Sequence, residues 1–302
     1  MREGAMENQP TILVTGVNGQ VGYELLRSLQ GLGRVIGLDR AALDLSDPDQ
    51  IRRVAREVRP SVIVNPAAYT AVDKAESDLD GAMRLNAHAP GILAEEAKRL
   101  GAPLIHYSTD YVFDGMKDAP YVETDATNPQ NVYGRTKLEG EQAIAASGCD
   151  YLILRTSWVY GRRGKNFLLT MLRLGAERSE LRVVADQTGA PTWSNTIAMA
   201  TAHIMAQGLT AQRLGDSGWW CERSGVYNLT SRDATSWHGF TEAILDMSMG
   251  DQAPKVLPIS ASEYPVPAKR PANSRLAGDK LADTFGLRLP TWDEALRLCL
   301  TQ

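Results

Sequence analysis

The feature that most constrains this chain is a short apolar run, Thr11-Ile-Leu-Val-Thr15, ending in glycines spaced Gly16-x-x-Gly19-x-x-Gly22. Immediately after it, Val21, Leu25, Leu26 and Leu29 recur at helical spacing. Strand, glycine turn and helix in succession predict a βα unit. Its turn lets backbone approach a pyrophosphate, and the helix N-terminus stabilises the negative charge. Asn18, Gln20 and Val21 join the three glycines as candidate dinucleotide contacts. An ordinary glycine-rich turn is the alternative, and the following elements argue against it.

A second strand, RVIGLD, ends at Asp39, where a carboxylate reaches an adenosine ribose. Arg40 follows and suits a 2′-phosphate, so Asp39 favours NADH and Arg40 favours NADPH. Asp44 and Leu45, in the next loop, are further cofactor candidates. Asp47-Pro48-Asp49-Gln50 then reads as a helix start, with Asp47 as cap, Pro48 at the first helical position and Gln50 closing a capping box. The third strand, SVIVN, ends in small residues. Ala67 and Ala68, with Tyr69, leave room for a cofactor across the strand ends. A helix is expected from about Gly81 to Leu100, then a fourth strand, PLIHYS, with Thr109 at its end and His106 as a core residue inside it.

Next comes Tyr133-x-x-x-Lys137. Residues four apart share a helix face, so a phenol and an ammonium point into one space. The cation should favour the phenolate and lower the tyrosine pKa from about 10, making the pair an acid/base for a carbonyl or alcohol, with Thr109 bonding the same oxygen. A fifth strand, YLILRTS, follows. The alternation predicts an α/β fold, a doubly wound parallel (Rossmann) sheet with a smaller C-terminal substrate lobe. The dinucleotide domain is expected over residues 10–156, with segments about 181–210 and 286–302 returning to it. The lobe takes residues 157–180 and 211–285, and the Gly- and Trp-rich stretch 208–225 reads as an exposed connection.

Composition excludes several classes. A net charge of −4 gives no general attraction to nucleic acid or membrane. No apolar run approaches the roughly 20 residues of a spanning helix, and the opening MREGAMENQP lacks a signal-peptide core. Cys149, Cys221 and Cys299 form neither a CxxC nor an even framework and read as free thiols in a reducing cytoplasm.

With these residues the chain resembles the extended short-chain dehydrogenases/reductases and, within them, the dTDP-4-dehydrorhamnose reductase family. The matching segments are GVNGQVG (16–22), AVDKAE (71–76), HYSTDYVFDG (106–115), NVYGRTKLEGE (131–141), LRTSWVYG (154–161), DQTGAPT (186–192) and RPANSRL (270–276). The resemblance implies NADPH- or NADH-dependent reduction of the C4 carbonyl of a dTDP-4-keto-6-deoxy-sugar, in the last step of dTDP-L-rhamnose synthesis. Thr109, Tyr133 and Lys137 would be catalytic. Tyr133 would protonate the C4 oxygen, and Lys137 would hold the nicotinamide ribose. Val72, Asp73, Thr109, Asp110, Tyr111 and Trp158 would face the sugar, with Arg270, Asn273 and Ser274 serving the substrate.

The chain departs from the family at Pro66 and Tyr69, where Asn-Ala-Ala-Ala-His is expected. Some members hold Mg²⁺ at a dimer interface. Glu24 matches one ligand, but TWSNTIAMA after Pro191 supplies no acidic partner. No metal site is expected, and a homodimer stays open. Two rival readings are a sugar-nucleotide dehydratase or epimerase, and a non-catalytic regulator similar to the methionine adenosyltransferase β subunit. A 4,6-dehydratase needs an Asp-Glu pair where this chain has Asp110-Tyr111.

Overall fold

The computed structural model describes residues 9–301; most of the polar opening stretch lies outside them. Five expected strands form: β1 (Thr11–Val14), β2 (Arg34–Gly37), β3 (Val62–Asn65), β4 (Leu104–Thr109) and β5 (Tyr151–Thr156). They stand in the order β2-β1-β3-β4-β5, with Gly225–Asn228 as a sixth strand beside β5, and every pairing is parallel. The central strands β3 and β4 are buried along their whole length, as parallel strands covered on both faces must be.

The helices are α1 (Gln20–Ser28), α2 (Pro48–Val58), α3 (Val72–Ala75), α4 (Leu79–Met83), α5 (Ala89–Leu100), α6 (Val132–Ala146), α7 (Phe167–Glu177) and α8 (Ser194–Arg213), with further helices beyond. Alternate residues of each strand face opposite sides, and two cores result. Leu13, Ile63, Leu104 and Ile153 pack with Ile51 of α2 and Leu93 and Ala97 of α5. Ile12, Val14, Val62, Val64, Ile105 and Leu154 pack with Leu25 of α1 and Ile197, Ile204 and Met205 of α8. The loops at the carboxyl ends of the strands are left to carry a site.

Several expectations need correction. Asp47 caps α2 by accepting from the amides of Asp49 and Gln50, but the Gln50 side chain accepts from the Asp44 amide, so the capping box is incomplete. The helix expected from Gly81 begins at Leu79 and is interrupted by a π-helical turn, Arg84–His88. Apolar spacing does not reveal such a turn, because it shifts register by only one residue.

The division of the chain also differs from the expected one. Gly225–Asn228, expected in the lobe, extends the main sheet. Trp219 and Trp220, expected in an exposed connection, are buried in the core around α8, together with Leu281, Phe285 and Leu289. Conversely, Glu180–Val184 pairs with Lys255–Ile259 in a separate two-stranded sheet. Leu181, Val183, Ala295, Leu296 and Cys299 join a third core around Tyr160, Leu168 and Phe240. Of the two segments expected to return, only α8 and the stretch around Leu289 do so. Short amphipathic elements announce that one face must be buried, not which core buries it. The cysteines are free, Cys149 and Cys299 buried and Cys221 exposed.

Candidate active site

The glycine turn after β1 is built for close approach. Gly16 has φ +57°, and a Cβ there would lie 2.8 Å from the Ala67 Cβ, while a Cβ on Gly22 would meet the Gly16 carbonyl oxygen at 2.3 Å. No other residue fits at these two positions, which explains the outer glycines of the spacing. At the end of β2, Asp39 accepts from the amides of Ala41 and Ala42 at 3.0 and 3.1 Å and from Asn18 Nδ2 at 3.4 Å. Its carboxylate thereby joins the glycine turn to the following loop. Arg40 is exposed beside it. Hydrogen bonds from the backbone and hydroxyl of Ser46 hold Asp44 below the usual carboxylate range, and Leu45 is buried. Gln20 and Asn166 tie α1 to the lobe at 2.9 Å, and Val21 packs against the core around α8.

After β3, Ala67 and Ala68 are half-buried. Tyr69 is fixed by Asn86 in the π turn. The Asn86 Oδ1 accepts from the Tyr69 amide at 2.8 Å, and its Nδ2 donates to the Tyr69 carbonyl and the Thr136 hydroxyl at 3.1 Å each. The Tyr69 hydroxyl donates to Asp78 at 2.9 Å. The extra residue of the π turn thus joins the β3 loop to α6, consistent with the tendency of such turns to fall at functional sites.

Helix α6 is clamped onto the sheet. Asn131 caps it by accepting from the Gly134 amide, and donates to the Lys269 carbonyl, at 2.8 Å each. Glu76 accepts from the Val132 amide at 2.8 Å. A Cβ on Gly134 would lie 2.1 Å from the Tyr111 carbonyl oxygen, and one on Gly140 would lie 2.0 Å from that of Asn86. Glu141 forms a buried bidentate pair with Arg155 of β5 at 2.9 and 2.6 Å. Losing one partner of such a pair costs about 3–5 kcal/mol.

These contacts bring Thr109, Tyr133 and Lys137 together at the end of β4. The Thr109 hydroxyl donates to Asp110 at 3.1 Å and accepts from the Tyr111 amide at 3.2 Å. Tyr111 and Tyr133 meet edge to face at 5.6 Å. The tyrosine pKa is not lowered as expected. Burial pushes the Tyr133 phenol up to about 12, and the Thr109 hydroxyl only partly offsets this. The Lys137 amine is held against β4, 2.6 Å from the Tyr107 carbonyl oxygen and 3.0 Å from His106 Nε2. Burial pulls Lys137 down to about 8, against the opposing pull of Glu141. Asp110 is raised to about 7 by burial, against the opposing pull of the nearby Ser274 and Thr109 hydroxyls.

The sugar-facing candidates converge from both parts of the chain. Asp73 accepts from Arg270 at 2.7 Å and from the Ala268 amide at 3.2 Å, so the segment 268–270 closes over α3, with Val72 half-buried next to it. Trp158 sits in the left-handed region at φ +48° and stacks on Trp237 at 3.5 Å. A non-glycine residue there is strained, a condition that collects at functional sites. Asn273 is different. Its amide donates to the carbonyls of Lys117 and Ala119 and accepts from Arg275, which makes it a brace for the 270–276 segment. Four buried polar atoms near these strand ends have no partner: Ser108 Oγ, Asp110 Oδ2, Thr156 Oγ1 and Arg270 Nη1. Buried polar atoms are seldom left so, and a bound polar ligand is a ready partner. Thr156 lies in register with Thr109, a placement that sequence spacing did not reveal. Trp237 was equally hidden, 79 residues from its stacking partner.

Glu24 accepts from Asn195 at 3.0 Å, and among the described residues no three His, Cys, Asp or Glu side chains cluster closely enough to hold an ion. Nor is any described helix long and apolar enough to cross a membrane.

Fold and site together define an extended short-chain dehydrogenase/reductase, a Rossmann-type oxidoreductase. The chain belongs to the RmlD substrate binding domain family, whose model matches residues 10–302. It is 52% identical to a dTDP-4-dehydrorhamnose reductase of Burkholderia thailandensis over 96% of this chain and 97% of that one. It is 42% identical to one from Escherichia coli K12, again over 96% and 97%. Among solved structures it is similar to a dTDP-4-dehydrorhamnose reductase of Bacillus anthracis in complex with NADP, with a TM-score of 0.86 and 34% identity, covering 97% of this chain and 99% of that one.

Proposed function

We propose that this chain reduces the C4 carbonyl of dTDP-4-dehydro-β-L-rhamnose to give dTDP-L-rhamnose, using NADPH or NADH, in the last step of dTDP-L-rhamnose synthesis. The observation that carries this reading is the convergence of the Thr109 and Tyr133 hydroxyls above buried Lys137, under an arm closed by Arg270 and Asp73, in a chain of this family. The glycine turn against Ala67 is a cradle that any Cβ would fill, and it fits a pyrophosphate. Gly16, Asn18, Gly19, Gln20, Val21 and Gly22 would hold the cofactor phosphates. Asp39, Arg40, Asp44 and Leu45 would hold the adenosine side, and Ala67, Ala68 and Tyr69 would line its path. When bound, the dihydronicotinamide supplies the hydride.

Tyr133 supplies the proton. A phenol raised to about 12 is fully protonated at neutral pH, so it acts as the acid toward the C4 oxygen. Thr109 orients that oxygen, and Lys137 positions the nicotinamide ribose. Val72, Asp110, Tyr111, Trp158 and Ser274 surround the sugar, and the unpartnered Arg270 Nη1 suits its phosphate or hydroxyl oxygens. No second carboxylate follows Asp110, so elimination lacks its base. The free thiols suit a cytoplasmic enzyme.

The test is oxidation of NADPH or NADH by the purified chain with the dTDP-4-keto-6-deoxy-sugar. Turnover is expected, and Tyr133→Phe should lower it about 10²–10⁴-fold while the cofactor still binds. Cofactor binding without turnover in the wild type would overturn the reading in favour of a regulatory protein.

A further inference from the structure

A line of buried polar side chains runs across the sheet beneath the site, and apart from Lys137 at its end nothing in the reaction so far uses it. Thr15 Oγ1 lies 2.6 Å from Asn65 Oδ1, Asn65 Nδ2 lies 3.1 Å from His106 Nδ1, and His106 Nε2 lies 3.0 Å from Lys137 Nζ. All four residues are at most 1% exposed. They come from the ends of β1 and β3, from the middle of β4, and from α6. Four polar side chains enclosed in an apolar core carry a desolvation cost that only a complete hydrogen-bond set offsets.

Counting donors restricts the arrangement. A neutral imidazole has one N–H and one bare nitrogen, and an ammonium has three N–H groups and no acceptor. If the Asn65 amino group donates to Nδ1, then Nε2 carries the hydrogen and cannot accept from an ammonium. A charged Lys137 therefore requires the Asn65 carbonyl to face His106. Nδ1–H then donates to Asn65, and Nε2 accepts from Lys137. Turning the amide by half a turn achieves this, with the Thr15 hydroxyl accepting from the amino group. Both ring nitrogens of His106 then have partners, and the Tyr107 carbonyl takes a second lysine N–H at 2.6 Å. One N–H remains, free for the side of the helix that carries Tyr133.

We propose that His106 is a positioning residue for Lys137: held neutral as the Nδ1–H tautomer by Asn65 and Thr15, it accepts one ammonium N–H, keeps the lysine charged in its buried site and aims the remaining N–H at the cofactor ribose. The proposal rests on the assignment of Lys137 to the cofactor made above. Burial and the adjacent lysine charge both hold His106 well below its ordinary pKa, which suits a permanent acceptor. The other groups around the amine are few. Glu141, one turn along α6, is committed to Arg155 of β5. Tyr133 precedes Lys137 on α6, with Asp110 facing it from the end of β4. The Tyr107 phenol bonds Thr201 on the far side, and Glu96 of α5 is paired with Arg56.

The test compares His106→Leu, which has no acceptor, with His106→Gln, whose carbonyl oxygen can replace Nε2. Loss of the acceptor disfavours the charged amine, so Lys137 should titrate about one pH unit or more lower in His106→Leu. The alkaline limb of the kcat profile should move down with it, while His106→Gln should keep both near their wild-type positions. Carbon-13 NMR of labelled lysine reads the Lys137 titration without any turnover, so failure of the functional assignment would not obscure this result. If His106→Leu does not fold, nitrogen-15 NMR of the wild-type imidazole decides. A bare Nε2 and protonated Nδ1 at neutral pH are expected, and an Nε2–H signal overturns the proposal. So does a Lys137 titration unchanged in His106→Leu with only the melting temperature lowered.

Discussion

At the scale of single residues, burial governs the chemistry of this site more than charge pairing does. Spacing alone predicted a lysine lowering a tyrosine pKa, yet Lys137 is held by His106 and Tyr107, and desolvation sets both pKa values in opposite directions. Asp110 shows the same effect with a measurable consequence. Its folded pKa of about 7 stands above the ordinary aspartate value of about 3.9, so the folded state binds the extra proton between those values. Stability is then greatest below about pH 4 as far as this group is concerned, and is lost as pH rises through 7. The upper bound is about 4 kcal/mol. Asp110→Asn should flatten that slope, which melting temperatures measured from pH 4.5 to 8 would show; an unchanged slope would mean that Asp110 titrates normally. Arg40 carries a second prediction. Asp39 repels a 2′-phosphate and Arg40 attracts it, so Arg40→Ala should raise KM for NADPH several-fold more than for NADH. Equal effects would remove Arg40 from the ribose pocket.

At the scale of elements, α6 matters most, and its position depends on contacts distant in sequence. The helix itself was legible from its motif. Its placement required glycines where Tyr111 and Asn86 carbonyls press against it, the π turn that presents Asn86, and the Asn131 cap that also grips the Lys269 carbonyl. Losing an N-cap costs about 1 kcal/mol, which predicts a modest drop in melting temperature for Asn131→Ala. Because the same side chain anchors the substrate arm, KM for the sugar nucleotide should rise as well, with kcat less affected. A fall in stability with KM unchanged would confine Asn131 to capping.

At the scale of the whole molecule, the two parts of the chain interleave. The lobe reaches the site through Asp73–Arg270 and the Trp158–Trp237 stack, while a late strand completes the main sheet. The absence of a metal site is an expectation with a direct test. Mg²⁺ demands near-octahedral oxygen coordination, and Glu24 is paired with Asn195. Exhaustive EDTA treatment should therefore leave both reductase activity and elution volume unchanged. A loss restored by Mg²⁺ alone would reveal ligands elsewhere, a subunit interface included.

Local patterns in the sequence determined the strand–turn–helix alternation, the glycine turn, the position of Asp39 and the shared face of Tyr133 and Lys137. Each of these depends on neighbours within one or two helical turns, where periodicity and backbone sterics act directly. Which core buries Leu181, Trp220 or Leu296 was decided only by tertiary structure, because an apolar face specifies burial without naming its partner. The same limit hid Thr156, Trp237 and the line from Thr15 to Lys137. Their roles come from desolvation and from contacts spanning 31 to 79 residues, and neither exists until the chain has closed on itself.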